Sequence, residues 1–528
     1  MEQKKDSAVE HIELQDDHGD RRGVSAEQHM TLMQGVKRYP WSVFWSVMVS
    51  LIIVMEGYDI VLFGGLLAQP AFRQRYGMYY EKSGWQIDGP WQVGLQNATT
   101  VGTIFGALAN GYLTDRFGYR RTVIGALVFM TGTIALQVFA TSLGMLAAGN
   151  LLCGLPWGLF SILAPAYASE ICPTVLRGYL ANFTCFCWAF GMLISSGVQR
   201  TLANCSDEWA YRIPFAIQWV WPVPLICLLW FAPESPWILV RAGKQEEAQR
   251  MVKRLAVKSE QVDASATVAM MEHTTETEIK LESGTSYLDC FRGINLRRTE
   301  ICCMTFMCQY LDSTVITGNA VYFFTQAGMG PTVAYNLSLG SLALSCAGVV
   351  VSWFLIYHFG RRTLYFLSLC CSLAGLLAVG TAASISSSTT SSYVQAGIVL
   401  CSVLIRFATT GPICYAIITE MPAVSIRSKT LSLARISYYL AQIVVSTAQA
   451  YLINPTELNL KGKTAFVWSG TCALIALWAF YRLPETKDRL FEEIDLLFSQ
   501  KISARKFRTT KVDVFQRDAI IAGKEAVV

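Results

Sequence analysis

The chain has 528 residues, of which 53% are apolar and only 15% charged, with a formal net charge of +5 and a mean hydropathy of +0.37. A soluble chain carries about 25% charged residues, so the deficit falls on the groups that face water, and this speaks against soluble enzymes, disulfide scaffolds and disordered proteins. A net charge of +5 over this length is no basic footprint, which speaks against nucleic acid as a partner.

Residues 1–40 are polar and of mixed charge, without an apolar core or a small-residue cleavage site, so they predict a cytoplasmic N-terminal tail and no signal peptide. From there on the apolar residues come in runs. A helix needs about 20 of them to cross a hydrocarbon core of about 30 Å. Twelve runs suffice: 41–69, 91–113, 122–142, 145–168, 181–200, 213–232, 299–328, 332–357, 363–384, 393–418, 430–453 and 464–483. A backbone in lipid must satisfy its own hydrogen bonds, and barrel strands would alternate in short segments, so the runs predict helices and an all-α membrane protein. The lipid bilayer is the first expected partner.

The stretch 233–298 is the one long hydrophilic interruption and divides the spans into an N-terminal half, 41–232, and a C-terminal half, 299–483, leaving a tail at 484–528. Within the loop, 241–258 mixes Arg241, Lys244 and Arg250 with Glu246 and Glu247 and predicts an amphipathic helix at the inner face. Most of the 43 basic residues fall on the side that holds both termini and this loop, which predicts cytoplasmic termini. Most of the 16 cysteines, such as Cys302, Cys303, Cys370 and Cys371, lie inside apolar runs and read as small buried hydrophobes. Gly102 and Gly106, four apart, predict close helix packing, and Asn204-Cys205-Ser206 is a glycosylation sequon in an outward loop.

Landmarks recur between the halves. Ser169-Glu170 with Pro173 and Arg177 follows the fourth run, and Thr419-Glu420 with Pro422 and Arg427 follows the tenth, with the two glutamates 250 residues apart. Asp115-Arg116-Phe117-Gly118 after the second run is echoed by His358-Phe359-Gly360-Arg361 after the eighth. Parallel repeats of this kind are the layout of an alternating-access transporter with a site between its halves. Charges at helix ends can pair in one conformation and part in the other, so Asp115, Arg116, Glu170, Arg177, Glu420 and Arg427 are candidate gates.

Ionisable residues inside a span are costly, at about 2.5–3.5 kcal/mol each. Glu56 and Asp59 lie in the first run, three apart and so on one helix face. Asp312 lies in the seventh, Arg406 in the tenth and Arg435 in the eleventh. Three acids against two guanidinium groups leave one negative charge, which one bound proton would neutralise. Static pairing that only holds helices together is the competing reading. Amides, hydroxyls and aromatic faces within the spans can hold a polar ligand, and the candidates are Gln309, Asp312, Asn336, Tyr415, Tyr438 and Tyr439.

The loop from Gly111 to Arg121 resembles the signature loop of the major facilitator superfamily. Pro233-Glu234-Ser235-Pro236 and Pro484-Glu485-Thr486-Lys487 resemble the marks of its sugar porter branch. Glu56-Gly57-Tyr58-Asp59, with Gly154-Leu155-Pro156-Trp157-Gly158 and Pro236-Trp237, is similar to fungal α-glucoside (maltose-type) proton symporters. The resemblance implies the twelve-helix major facilitator fold, no enzymatic activity, and a sugar and a proton as cargo at a plasma membrane. It also implies proton coupling through Glu56, Asp59 and Arg435, and sugar contacts at Gln309 and Tyr415.

The sequence departs from the pattern in three places. Tyr357 and His358 stand where the second-half loop has an acid and a base, Asn150 stands where sugar porters of the bacterial symporter type have a fourth-span arginine, so that coupling pair is absent, and Cys185 and Met192 replace amide side chains. A uniporter, a carrier of a polyol or other non-sugar metabolite, and a non-transporting sensor stay open as alternatives. No nucleotide loop or metal-ligand cluster is present, so no cofactor is expected.

Overall fold

A computed structural model describes residues 32–510 apart from 82–83, 173, 258–263, 283–285, 313–319, 386–388, 424–425, 488 and 490. The side chains of Asp115 and Arg177, inside helices, lie outside the described residues. Nearly all of the described chain is helical, and the described strands are one hairpin, Met78–Tyr80 with Gly84–Gln86.

Nine helices among the described residues are long and apolar enough to cross a bilayer: Pro40–Leu66, Arg116–Val138, Leu143–Ile171, Trp209–Leu229, Pro331–His358, Arg361–Ile385, Thr390–Glu420, Arg427–Ile453 and Lys461–Arg482. The three other expected spans also fall on helix. One is the stretch of Gly89–Val138 before Gly118, one is Thr174–Leu202, and the described parts of the last fall mainly on Gly293–Leu311 and Ala320–Gln326. Their ends carry ordinary signals. Proline, which has no N–H to lose, opens Pro40–Ser50, Pro222–Leu229 and Pro331–His358. Ser142 caps Leu143–Ile171 by accepting from the Met145 amide at 3.3 Å.

Large apolar side chains point outward along these helices, with Leu474 69% and Phe354 66% exposed. Such a surface would aggregate in water and is solvated by lipid tails.

The chain packs as two compact units. The first comprises Met1–Asp59, Ala98–Met192 and Arg212–Ser283, and the second Ile60–Asn97, Leu193–Tyr211 and Gly284–Val528. In the first, a Cβ added to Gly102 or Gly106 would lie 2.0 Å from the carbonyl oxygen of Leu151 or Leu155, so the second span meets the fourth backbone to backbone. The central loop contributes helices Pro236–Arg241, Gln245–Leu255 and Ala264–Glu282 to the same unit. They share a small core of Leu239, Val240, Ala248, Val252, Val268 and Met271. Ala248, Val252 and Leu255 are the buried face of the amphipathic helix, while Glu246 and Arg250 face out.

In the second unit, the ends of the first, second and fifth spans that follow Ile60, precede Asn97 or follow Leu193 are tied by side chains to the C-terminal helices. Tyr335 Oη donates to the Gly65 carbonyl at 2.8 Å, Asn97 Nδ2 to Thr447 at 2.8 Å, and Asn454 Nδ2 to the Ile87 carbonyl at 3.1 Å.

Two departures from regular helix matter for the site. Gly118, at φ 80° and ψ 169°, interrupts Gly89–Val138 in a backbone region open in practice to glycine alone. Thr409, at φ −129° and ψ −86°, separates Thr389–Ala408 from Thr410–Glu420. Pro412 follows within one turn and has no N–H to return to the Ala408 carbonyl.

Candidate functional site

Glu56 and Asp59 lie one turn apart on Ile52–Leu66, each only 8% exposed. A Cβ at Gly57 would come within 2.3 Å of the Trp188 carbonyl oxygen, and one at Gly191 within 2.0 Å of that of Val54. Glycine is what lets the first and fifth spans approach so closely beside the acids. Tyr58 Oη donates to the Pro214 carbonyl at 2.8 Å and its ring meets Trp221 at 5.4 Å, which fixes the helix rotation. Asp59 Oδ1 accepts from Gln218 Nε2 at 3.4 Å. Asn150 forms a neutral amide pair with Gln137, whose Nε2 donates to Asn150 Oδ1 at 2.9 Å.

The second unit holds the other candidates. Arg435, on Arg427–Ile453, is buried, and its guanidinium lies over the rings of Phe306 at 5.6 Å, Tyr438 at 5.2 Å and Tyr439 at 5.2 Å. Tyr415 stands edge-on to Phe306 at 5.5 Å, and Tyr310 to Tyr438 at 4.8 Å. Aromatic faces from the seventh and eleventh spans thus lie against one cation, and Tyr415 of the tenth packs on one of those rings. Gln309, on the same helix as Phe306 and Tyr310, donates from Nε2 to Cys414 Sγ at 2.6 Å. The structure therefore gathers Gln309, Tyr415, Tyr438, Tyr439 and Arg435 around three helices.

Asp312 lies one turn beyond Gln309 with its own cationic partner, and Asn336 lies outside that cluster. Asp312 has no exposed surface and forms an ion pair with Arg406, Oδ1 to Nε 3.4 Å. Asn336 lies at an exposed position and accepts a hydrogen bond from Arg200. The five ionisable residues of the spans thus sort into one buried pair within the second unit, two acids in the first unit and Arg435 in the second.

The candidate gates lie at helix ends. Tyr119 Oη donates to Glu170 at 3.0 Å, and the Ser235 hydroxyl donates to the same carboxylate. Glu234 occupies the space beside Gly118 and accepts from the Tyr119 amide at 2.9 Å. Burial pushes the Glu234 carboxyl above its ordinary value, against the lowering effect of the Ser235, Tyr119 and Arg120 amides. Glu420 pairs with Arg361 at 3.2 Å, and Arg427 donates to the Thr419 carbonyl at 2.9 Å. Arg116 is exposed and donates to the Tyr112 hydroxyl at 3.3 Å.

Phe306, Tyr310 and Gln218 were absent from the sequence candidates. For the first two a signal existed, because residues 306, 309 and 310 share a helix face. For Gln218 none did, since its contact with Asp59 spans 159 residues.

A family model described as sugar (and other) transporter matches residues 45–498. The general alpha-glucoside permease of Saccharomyces cerevisiae is 37% identical over 506 residues, covering 93% of this chain and 80% of that permease. A maltose permease of the same yeast is 36% identical over 499 residues, covering 93% and 81%. Among solved structures, the xylose transporter XylE from E. coli in a partially occluded inward-open conformation superimposes with a TM-score of 0.70 at 20% identity, over 86% of this chain and 99% of that one. A second XylE structure, described as a major facilitator superfamily proton:xylose symporter, gives 0.69 at 22% identity, over 87% and 99%. The chain belongs to the sugar (and other) transporter family. It is a multi-pass helical membrane protein of the major facilitator fold.

Proposed function

We propose that this protein imports an α-glucoside or a related sugar together with a proton, by alternating access between two six-helix halves, 41–232 and 299–483. Its place is the plasma membrane, with both termini in the cytoplasm. The observation that carries the reading is the buried pair Glu56 and Asp59, one turn apart on a helix locked by Gly57 and Tyr58. Two carboxyl groups out of water are costly to retain for packing alone, and one proton bound between them changes the charge of the carrier by one as it reorients. Arg435, buried against three aromatic rings, is the third residue of the proposed coupling set. Gln309, Tyr415, Tyr438 and Tyr439 offer the amide and aromatic faces that a pyranose ring needs. The names of the yeast relatives, α-glucoside and maltose permeases, supply the substrate class. The XylE neighbour is described as a proton symporter.

Uptake of labelled maltose and a panel of mono- and disaccharides, in cells without carriers of their own and with or without a protonophore, tests the proposal. Glu56→Gln and Asp59→Asn should abolish accumulation while exchange across equal concentrations survives. Accumulation by both variants, with cell alkalinisation of the medium intact, would remove the coupling role.

A second reading keeps the fold and changes the cargo. Cys185, buried, and Met192, half-buried, stand where sugar porters carry amides, and both favour a less polar or differently shaped ligand. A polyol taken up in preference to every sugar of the panel would establish it.

A further inference from the structure

We infer that Arg406 and Asp312 form a positioning clamp that sets Gln309 for sugar binding, so that Asp312 acts through Arg406 and does not touch the substrate. The role in binding rests on the function proposed above.

Helix Gly293–Leu311 ends inside the protein, where its last carbonyls need partners. The Cys308 carbonyl accepts from the Asp312 amide at 3.0 Å, the Gln309 carbonyl from Arg406 Nη2 at 2.9 Å, and the Leu311 carbonyl from the Thr471 hydroxyl at 3.1 Å. The guanidinium therefore bonds the backbone of residue 309 while its Nε faces the carboxylate of Asp312 at 3.4 Å. Residues 309 and 312 lie one turn apart, so a single planar fork engages both. Its location is also electrostatically favourable. Arg406 is in the last turn of Thr389–Ala408, and it caps the end of a second helix as well, so two helix C-termini face one cation.

Three residues beyond Arg406 the tenth span changes direction at Thr409, and on the far side of that break Cys414 receives the Gln309 side chain at 2.6 Å. Gln309 is thus held at its backbone by the helix before the break and at its amide by the helix after it. Without the clamp, the amide loses its fixed origin while its helix remains intact.

The test uses the full-length carrier. Replacing one member alone strands a buried charge, so the main variant is Asp312→Asn with Arg406→Gln, which removes both charges and keeps both shapes. Maltose uptake at matched surface level should show KM raised roughly tenfold, with maximal rate and pH profile close to wild type. In parallel, N-ethylmaleimide modification of Cys414, read by peptide mass mapping, should become faster, as it should in Gln309→Ala. Arg406→Lys keeps the charge and loses the fork, and should fall between; it carries the same readouts if the double variant fails to reach the membrane.

Native KM with native Cys414 labelling would overturn the clamp. So would an Asp312→Asn carrier that exchanges but no longer accumulates, because Asp312 would then be a coupling acid. If the wild type takes up no sugar, the proposed function fails, and the Cys414 labelling still decides whether the clamp holds Gln309.

Discussion

The two glutamate clusters at the helix ends are built on one plan with different donors. In the first unit, Glu234 fills the space beside Gly118, and Glu170 accepts from the hydroxyls of Tyr119 and Ser235. In the second, Glu485 fills the space beside Gly360, and Glu420 accepts from the guanidinium of Arg361. There Lys487 also donates to the Tyr357 and His358 carbonyls, both at 3.0 Å, at the end of Pro331–His358. The altered residues at 357 and 358 therefore cost that helix end little, since Lys487 binds their backbone oxygens and no particular side chain is required. A motif can weaken in sequence while the contact it served passes to the main chain.

Five substitutions would break or sharpen this comparison. The largest effect should come from Gly118→Ala, which puts a Cβ into a glycine-only backbone region and 2.7 Å from a Glu234 oxygen. We expect a loss of about 3 kcal/mol, seen as a lowered melting temperature in detergent. Gly360→Ala meets Glu485 but carries no left-handed φ, and should lose clearly less. Equal losses would mean that the carboxylate, and not the backbone, sets the requirement.

Arg361→Met should follow. It takes the guanidinium from Glu420, a partly buried carboxylate, at a cost of about 2 kcal/mol. High salt should mimic part of that loss in the wild type, because ion pairs are screened.

Tyr119→Phe removes a neutral donor from Glu170 and should cost about 1 kcal/mol, with little dependence on salt. A salt dependence as steep as that of the Arg361 variant would erase the distinction between the clusters.

The smallest effect concerns Glu234. Its carboxyl is raised by burial, so the folded state holds the proton more tightly than the unfolded chain, and the stability this contributes is lost as pH rises through the raised value. Glu234→Gln does not titrate. Its stability relative to wild type should therefore be more favourable at about pH 8 than at about pH 5, in paired thermal melts.

The helices were legible because lipid demands long apolar runs, and the amphipathic helix Gln245–Leu255 because mixed charges such as Glu246, Glu247 and Arg250 mark its outer face. The repeated landmarks marked both glutamate clusters for the same reason, as each sits at the end of an apolar run. The partners of the intramembrane charges were not legible. Asp312 and Arg406 are 94 residues apart, and Gln218 lies 159 residues from Asp59. Helical periodicity orders neighbours on one helix and is silent about which helix stands opposite. The break at Thr409 was hidden as well, because Gly411-Pro412 sits inside an apolar run that reads as continuous. The hairpin at Met78–Tyr80 and Gly84–Gln86 is too short to alternate visibly.

The contact of Gly102 and Gly106 with the fourth span also limits what the gene can tolerate. At each position the nearest carbonyl oxygen lies 2.0 Å from where the first side-chain carbon would stand. Every amino acid other than glycine brings that carbon, so no missense change in either codon is mild by virtue of size. A saturation scan read by surface expression should find these two positions intolerant of alanine and serine as well as of larger residues. Neighbouring positions such as Phe105 and Leu108, each 60% exposed, should accept most apolar replacements.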